Sequence, residues 1–390
     1  MFKNYPQRTS SVKWNGLLER IKTILMSNEK NTSRRNFVKS TSISLGAGVL
    51  GVSIPSLSAA NAAAKTGGVD ENKKLPREVC VASVDLKGLW PDTTRESRIK
   101  RILERMEEVT GMKPDLVCLP ELFDTSWVEE EETLGKLAED EKIPGPVTSR
   151  IAAFAKKNSC YVVCPLFTKR DGKFYNSSLL LDRGGNIAGV YHKTHPVKTE
   201  IYPDQAFKGG GIVPGAIDQP ILSTDFGKVG MQICYDANWA DGWDNLKKKG
   251  ADIVIFSSQF PGGRMLNYYA LKNAYYIVSS TGGDARVIDI SGNDLDATTE
   301  FVRYAWATIN LEKVTVPTWP TNERLPDLFK KYGNRLAIKV WGTSAITIES
   351  RDPLLKVSNV LKEFEIPDYT NFLKYETEVQ DKYRSEIAKK

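Results

Sequence analysis

Hydrophobic residues along this chain fall into short continuous runs separated by longer amphipathic stretches. Residues 79–84 form an apolar run of strand length, and residues 95–110 carry Ile99, Ile102, Leu103 and Met106 at the spacing of a helix with one buried face. Residues 116–119 predict a second buried strand, 147–157 a helix and 160–166 a strand. The cluster Asp182-Arg183-Gly184-Gly185-Asn186 predicts a turn between two further strands. Strands at 229–233, 253–256 and 277–280 then alternate with helices at 239–249 and 266–274, and runs at 286–290 and 308–311 complete the set. No internal repeat is evident. Alternating helices and strands with inserted hairpins predict an α/β layered domain with mixed sheets over residues 77–316. From Pro317 the pattern changes to a Pro-containing charged stretch, an alternating run at 335–348 and a polar helix near 370–388. Residues 317–390 are therefore expected to be an extension packed on the main domain or on another subunit.

Charge changes the reading of the N-terminus. The 390 residues hold 54 Lys/Arg and 48 Asp/Glu, a formal net charge of +6, and 41% hydrophobic residues supply a sizeable core. Residues 1–64 contain nine of the basic residues and only two acids, Glu19 and Glu29, and so carry +7; residues 65–390, with 45 and 46, carry −1. A nearly neutral main part argues against a nucleic-acid partner. The run Arg34-Arg35-Asn36-Phe37-Val38-Lys39 precedes an uncharged Gly-, Ser- and Ala-rich stretch that closes on Ala60-Asn61-Ala62 and Ala62-Ala63-Ala64. This resembles a twin-arginine signal peptide over residues 1–64, which implies passage through the twin-arginine export machinery to the periplasm or beyond. The alternative, an uncleaved anchor, is opposed by Pro55 and by the many Gly and Ser residues, which leave too little continuous apolar length to span a bilayer. No stable membrane association is expected once the signal is cleaved. Met26 is an alternative start to Met1, and residues 65–76 read as a linker.

Five cysteines lie beyond the leader, an odd number for an exported chain. Cys80 and Cys118 sit in apolar runs. Cys160 and Cys164 share one strand face but stand roughly 13 Å apart at strand rise, too far to bridge. Four thiols thus read as small buried hydrophobes. The fifth, Cys234, ends the strand of Lys228-Val229-Gly230-Met231-Gln232-Ile233 and is followed by Tyr235, Asp236 and Asn238, just where a helix is about to begin. A strand-to-helix elbow holds a nucleophile in the open beside N–H groups that stabilise an oxyanion. Glu121, in Leu119-Pro120-Glu121-Leu122-Phe123, closes another apolar strand among Leu, Phe and Trp127, a setting that suits a general base. Lys193, in Tyr191-His192-Lys193-Thr194-His195-Pro196, ends a hairpin strand. The chain has only two histidines, His192 and His195, and they do not share a strand face; a metal site is not expected, and structural roles suit both.

Together the three segments resemble the nitrilase, or carbon–nitrogen hydrolase, superfamily: Pro-Glu-Leu-Phe at 120–123, His-Lys-Thr-His at 192–195 and Gln-Ile-Cys-Tyr-Asp at 232–236, in the family's order and approximate spacing. Tyr175-Asn176-Ser177, the hairpin after Asp182 and Lys249-Gly250-Ala251-Asp252-Ile253 extend the likeness across about residues 78–315. The resemblance implies a four-layer αββα sandwich, homodimers or larger assemblies, and Glu121 as general base, Lys193 as catalytic lysine and Cys234 as nucleophile. Glu200 is similar to a second glutamate of several branches. Attack by the thiol on an amide-like carbon would place negative charge near Lys193 and the backbone N–H of Tyr235, leave a thioester, and need neither metal nor organic cofactor. Where many members continue with an Arg-Phe-Pro-Glu-like segment after Cys-Tyr-Asp, this chain has Ala237-Asn238-Trp239-Ala240-Asp241. Trp127, Asn238, Trp239 and Gln259 are the expected substrate-binding residues. The leading expectation is an exported amidase or carbamoyl hydrolase acting on a small amide or ureido compound; a nitrilase acting on a nitrile is second, and an inactive binding protein on the same scaffold is the non-enzymatic alternative.

Overall fold

The computed structural model describes residues 75–389, apart from 76, 90–93, 127, 129–132, 203–210 and 342–344. The leader assigned to residues 1–64, and nearly all of the 65–76 linker, lie outside the described residues.

The first half of the chain runs β1 (Glu78–Val84), α1 (Arg95–Glu108), β2 (Leu116–Cys118), α2 (Leu134–Leu137), β3 (Glu139–Asp140), α3 (Pro146–Asn158), β4 (Tyr161–Arg170), β5 (Lys173–Leu181), β6 (Ile187–His192) and α4 (Lys198–Ile201). Local chemistry sets these helix starts. Thr94 caps α1 by accepting the Ser97 N–H at 3.1 Å. Pro146 opens α3, and the Glu139 carboxylate accepts the otherwise unpaired N–H groups of Val147 at 2.7 Å and Thr148 at 2.9 Å. The second half runs β7 (Leu222–Ser223), β8 (Lys228–Ile233), α5 (Ala240–Lys248), β9 (Ile253–Ser257), α6 (Gly263–Asn273), β10 (Tyr276–Ser280), β11 (Ala285–Ile288), β12 (Asp294–Ala297) and β13 (Tyr304–Asn310).

Two mixed sheets result, ordered β13-β1-β2-β4-β5-β6, with β3 beside β4, and β12-β11-β10-β9-β8-β7. Alternation along each strand then builds the layers. On β9, Ile253 and Ile255 point into a core shared with Val79, Val81 and Val163 of the other sheet, while Val254 and Phe256 pack with Trp243 of α5 and Leu266 of α6. On the far side, Ile99, Ile102 and Met106 of α1 and Ile151 and Phe154 of α3 cover Ala82, Val117 and Val162. Helices, sheet, sheet and helices make the expected αββα sandwich. Serines pin the sheets together: Ser257 Oγ donates to Leu119 O at 2.9 Å, Ser83 Oγ to Ser279 O at 2.7 Å and Ser280 Oγ to Val84 O at 2.6 Å.

Beyond β13 a third sheet forms from β14 (Lys313–Pro317), β15 (Leu336–Trp341) and β16 (Ala345–Ser350), ordered β14-β16-β15, with helices α7 (Thr318–Tyr332), α8 (Val357–Glu363) and α9 (Tyr369–Ile387). The alternating run at 335–348 becomes the β15–β16 hairpin, and the polar helix near 370–388 becomes α9. The charged stretch after Pro317, however, is helical. Its prolines mask a 3–4 spacing of Thr321, Leu325, Leu328 and Tyr332 that buries the helix against Val316, Ile346 and Ile348. Asn310 Nδ2 donates to Ser350 O at 2.7 Å and Lys313 pairs with buried Asp289 at 2.6 Å, tying this unit to the sandwich.

Candidate active site

The residues singled out from sequence meet where strands of the two sheets end. Glu121 follows β2, Lys193 follows β6 and Glu200 lies in α4, all from the first sheet's half of the chain; Cys234 follows β8 of the second sheet. Lys193 Nζ donates to Glu121 Oε1 at 2.8 Å and to Glu200 Oε2 at 2.9 Å, and all three side chains are buried. Two carboxylates facing one ammonium leave an excess negative charge away from water, so further donors are required. Asn176 of β5 supplies them. Both of its amide hydrogens are used, toward Glu121 Oε1 at 2.8 Å and Glu200 Oε1 at 2.7 Å. Backbone N–H groups complete the set, from Val197 to Glu200 Oε2 at 2.8 Å and from Gln259 to Glu121 Oε2 at 3.1 Å. From sequence, Asn176 is part of a strand start and carries no further role. The signal for its role is the polar run Asn176-Ser177-Ser178 inside a strand that continues as Leu179-Leu180-Leu181, and all three polar residues are buried.

Cys234 opens a short 3₁₀ turn, Cys234–Asn238, with a left-handed φ of 46°. That conformation is costly for a residue with a Cβ and turns the side chain out of the strand direction. It is the partly exposed cysteine among the five; Cys80, Cys118, Cys160 and Cys164 are buried, and none of the five forms a disulfide. Burial, and then the Glu121 carboxylate, push the Cys234 thiol up to about 12, while Lys193, the Ser258 hydroxyl and the Gln259 N–H pull the other way. The resting nucleophile is therefore a neutral thiol beside a carboxylate; the pull of Lys193 is present but outweighed. For Lys193, burial acts to lower the pKa, and the adjacent Glu121 and Glu200 override it, so the ammonium is held above its usual range. Tyr235 N–H lies at the start of the 3₁₀ turn, where first-turn donors lack intrahelical acceptors.

The expected substrate-binding residues divide. Trp127 lies outside the described residues. Gln259 sits in the site, with its backbone N–H on Glu121 and its side-chain amide on the Glu121 carbonyl. Trp239 is one step removed: its ring stacks on His195 at 4.1 Å and meets the edge of Tyr235 at 5.1 Å. Asn238 is exposed and donates to Tyr235 O at 3.0 Å. The two histidines bind different carboxylates, His192 Nε2 lying 2.6 Å from Glu141 and His195 Nδ1 3.1 Å from Asp236.

The model of the carbon-nitrogen hydrolase family matches residues 80–316, the span that builds the sandwich and all four site residues. The chain belongs to this family. Among relatives of this carbon-nitrogen hydrolase, the nitrilase of Pyrococcus abyssi is 29% identical over 217 residues, 54% of this chain and 79% of its own. The deaminated glutathione amidase of Mus musculus is 24% identical over 273 residues, covering 62% and 83%. The Drosophila melanogaster nitrilase and fragile histidine triad fusion protein is 26% identical over 46% of this chain, and the match spans only 38% of that protein. Among solved structures, an amidase from Nesterenkonia sp. aligns with TM-score 0.50 at 16% identity over 60% of this chain and 90% of its own, and the C. elegans NitFhit protein with TM-score 0.51 at 20% identity over 65% of each. At these identities the likeness is one of fold.

Proposed function

We propose that this protein is an exported thiol hydrolase that cleaves a non-peptide C–N bond, an amide or N-carbamoyl group, through a Cys234 thioester. The observation that carries this reading is the meeting of Glu121, Lys193 and Glu200 around a part-exposed cysteine held at a strand end with positive φ. Because the thiol is neutral at rest, attack and proton transfer belong together: Glu121 takes the Cys234 proton as sulfur bonds to the carbonyl carbon. Lysine has three N–H donors, and Glu121 and Glu200 engage two of them. The third supports the oxygen that gains charge, together with the Tyr235 N–H. Glu121 then protonates the departing nitrogen, ammonia or an amine leaves, and the regenerated carboxylate activates water to release the acid. Glu200 and Asn176 hold the lysine and the base in register throughout. The twin-arginine resemblance of the leader supports export.

Purified mature protein incubated with amides, ureido acids and nitriles, with ammonia or amine release as readout, tests this reading. Turnover of amides or ureido acids with a thioester trapped on Cys234, and its loss by at least about 10³-fold in Cys234→Ala, is expected. Turnover of nitriles alone would move the assignment to a nitrilase. Equal amide hydrolysis by wild type and Cys234→Ala would sink the mechanism, and no turnover of any class would favour a binding protein.

A further inference from the structure

We propose that Asp236 is a positioning residue that fixes the Lys193 loop to the Cys234 elbow across the seam between the two sheets. The inference rests on the hydrolase reading above and concerns how its parts are held together. The Asp236 side chain is fully buried, with 0% exposure, and its two oxygens collect donors from both sides of the seam. Oδ1 accepts the His195 N–H at 2.7 Å and lies 3.1 Å from His195 Nδ1. Oδ2 accepts the Tyr191 hydroxyl at 2.9 Å and the Ile233 N–H at 2.9 Å. Tyr191 and His195 flank Lys193 by two residues on either side, and Ile233 immediately precedes Cys234. One carboxylate thus grips the lysine's segment in the first sheet and the nucleophile's strand in the second. Its own carbonyl accepts Trp243 Nε1 at 3.2 Å and the Trp239 N–H at 3.2 Å, anchoring it to α5.

The donor set calls for a carboxylate specifically. Each oxygen faces a main-chain N–H, from His195 or from Ile233, so an amide in its place turns its NH₂ group against one of them in either orientation. The main groups that set the Cys234 ionisation are Glu121, Lys193, Ser258 and Gln259, not Asp236. Asp236 therefore acts through geometry. A displacement of about 1 Å between reacting groups is enough to cost roughly 10²-fold in rate.

The test compares wild type, Asp236→Asn and Tyr191→Phe in the mature protein. For a substrate that wild type turns over, Asp236→Asn is expected to lower kcat roughly 10²-fold with KM within about threefold. Tyr191→Phe, which removes one donor and keeps the ring, is expected to lower kcat by about three- to tenfold. A substrate-free readout follows the iodoacetamide rate at Cys234. In the parent, Lys193→Met is expected to slow labelling about tenfold, the effect of one pKa unit. In the Asp236→Asn background the same change has less than half that effect, because lysine and sulfur no longer hold their separation. Unchanged kcat in folded Asp236→Asn, a loss confined to KM, or an undiminished Lys193→Met effect overturns the proposal. If Asp236→Asn does not fold, the comparison is made in Tyr191→Phe, where wild-type kcat and an undiminished lysine effect overturn it equally. A wild type without turnover removes the hydrolase reading, while the labelling comparison still decides the role of Asp236.

Discussion

At the scale of single residues, the site is a balance of charges that pull on one thiol in opposite directions. Glu121 raises the Cys234 pKa and Lys193 lowers it. Glu121→Gln should therefore split two activities that usually fall together. Hydrolysis is expected to drop by about 10²- to 10⁴-fold through loss of the base. Alkylation of Cys234 by iodoacetamide at pH 7 to 8 is expected to become faster, because the thiolate is favoured once the carboxylate charge is gone. Slower alkylation in this variant, measured by mass spectrometry of the Cys234 peptide, would contradict the charge balance. Glu121, Lys193 and Cys234 were legible as chemically active residues at strand ends only once the family resemblance joined their three segments, since each signal alone is weak. Glu200 was reached through family resemblance alone. Asn176 and Asp236 stand out in sequence only as polar residues beside apolar runs: their importance lies in bridging groups far apart in the chain, and local sequence does not name those partners.

At the scale of elements, short continuous apolar runs made the strands readable and backbone crowding fixed how closely their ends approach. The ten strands read between residues 79 and 311 all formed, with boundaries shifted by a few residues at most sites. Helix α7 escaped because Pro320 and Pro326 argue locally against a helix that tertiary packing supports. Close approach has its own signature at Gly282, beside the end of β10. A Cβ there would stand 2.5 Å from the Gln259 carbonyl oxygen, and the Gln259 N–H serves both Glu121 and Cys234. Gly282→Ala is expected to lower kcat at least about tenfold by shifting Gln259, with the far-ultraviolet circular dichroism of the wild type. Full activity in this variant would show that the β9 and β10 ends have more freedom than the contact allows.

At the scale of the whole molecule, burial couples stability to alkaline pH. Burial pushes up the thiols of Cys118, Cys164 and Cys160, the last to about 11, and the phenols of Tyr191, Tyr275 and Tyr276. These groups keep their protons in the fold at a pH where the unfolded chain, with thiols near about 8.5 and phenols near about 10, has begun to release them. Their contribution is fully present below about pH 8.5 and is lost as pH rises through the folded values. The melting temperature is expected to be level between pH 7 and 8 and to fall by more than about 5 °C by pH 10.5, and a level profile to pH 10.5 would refute this. The seam that carries the site has a second consequence, in time rather than in space. Glu121 and its Gln259 donor are 138 positions apart in the chain, and base and nucleophile belong to different sheets. Such distant pairings close late in folding, after local hairpins and helices have formed. A refolding chain can therefore hold much of its secondary structure and still be inert, so recovery of activity times the docking of the two sheets.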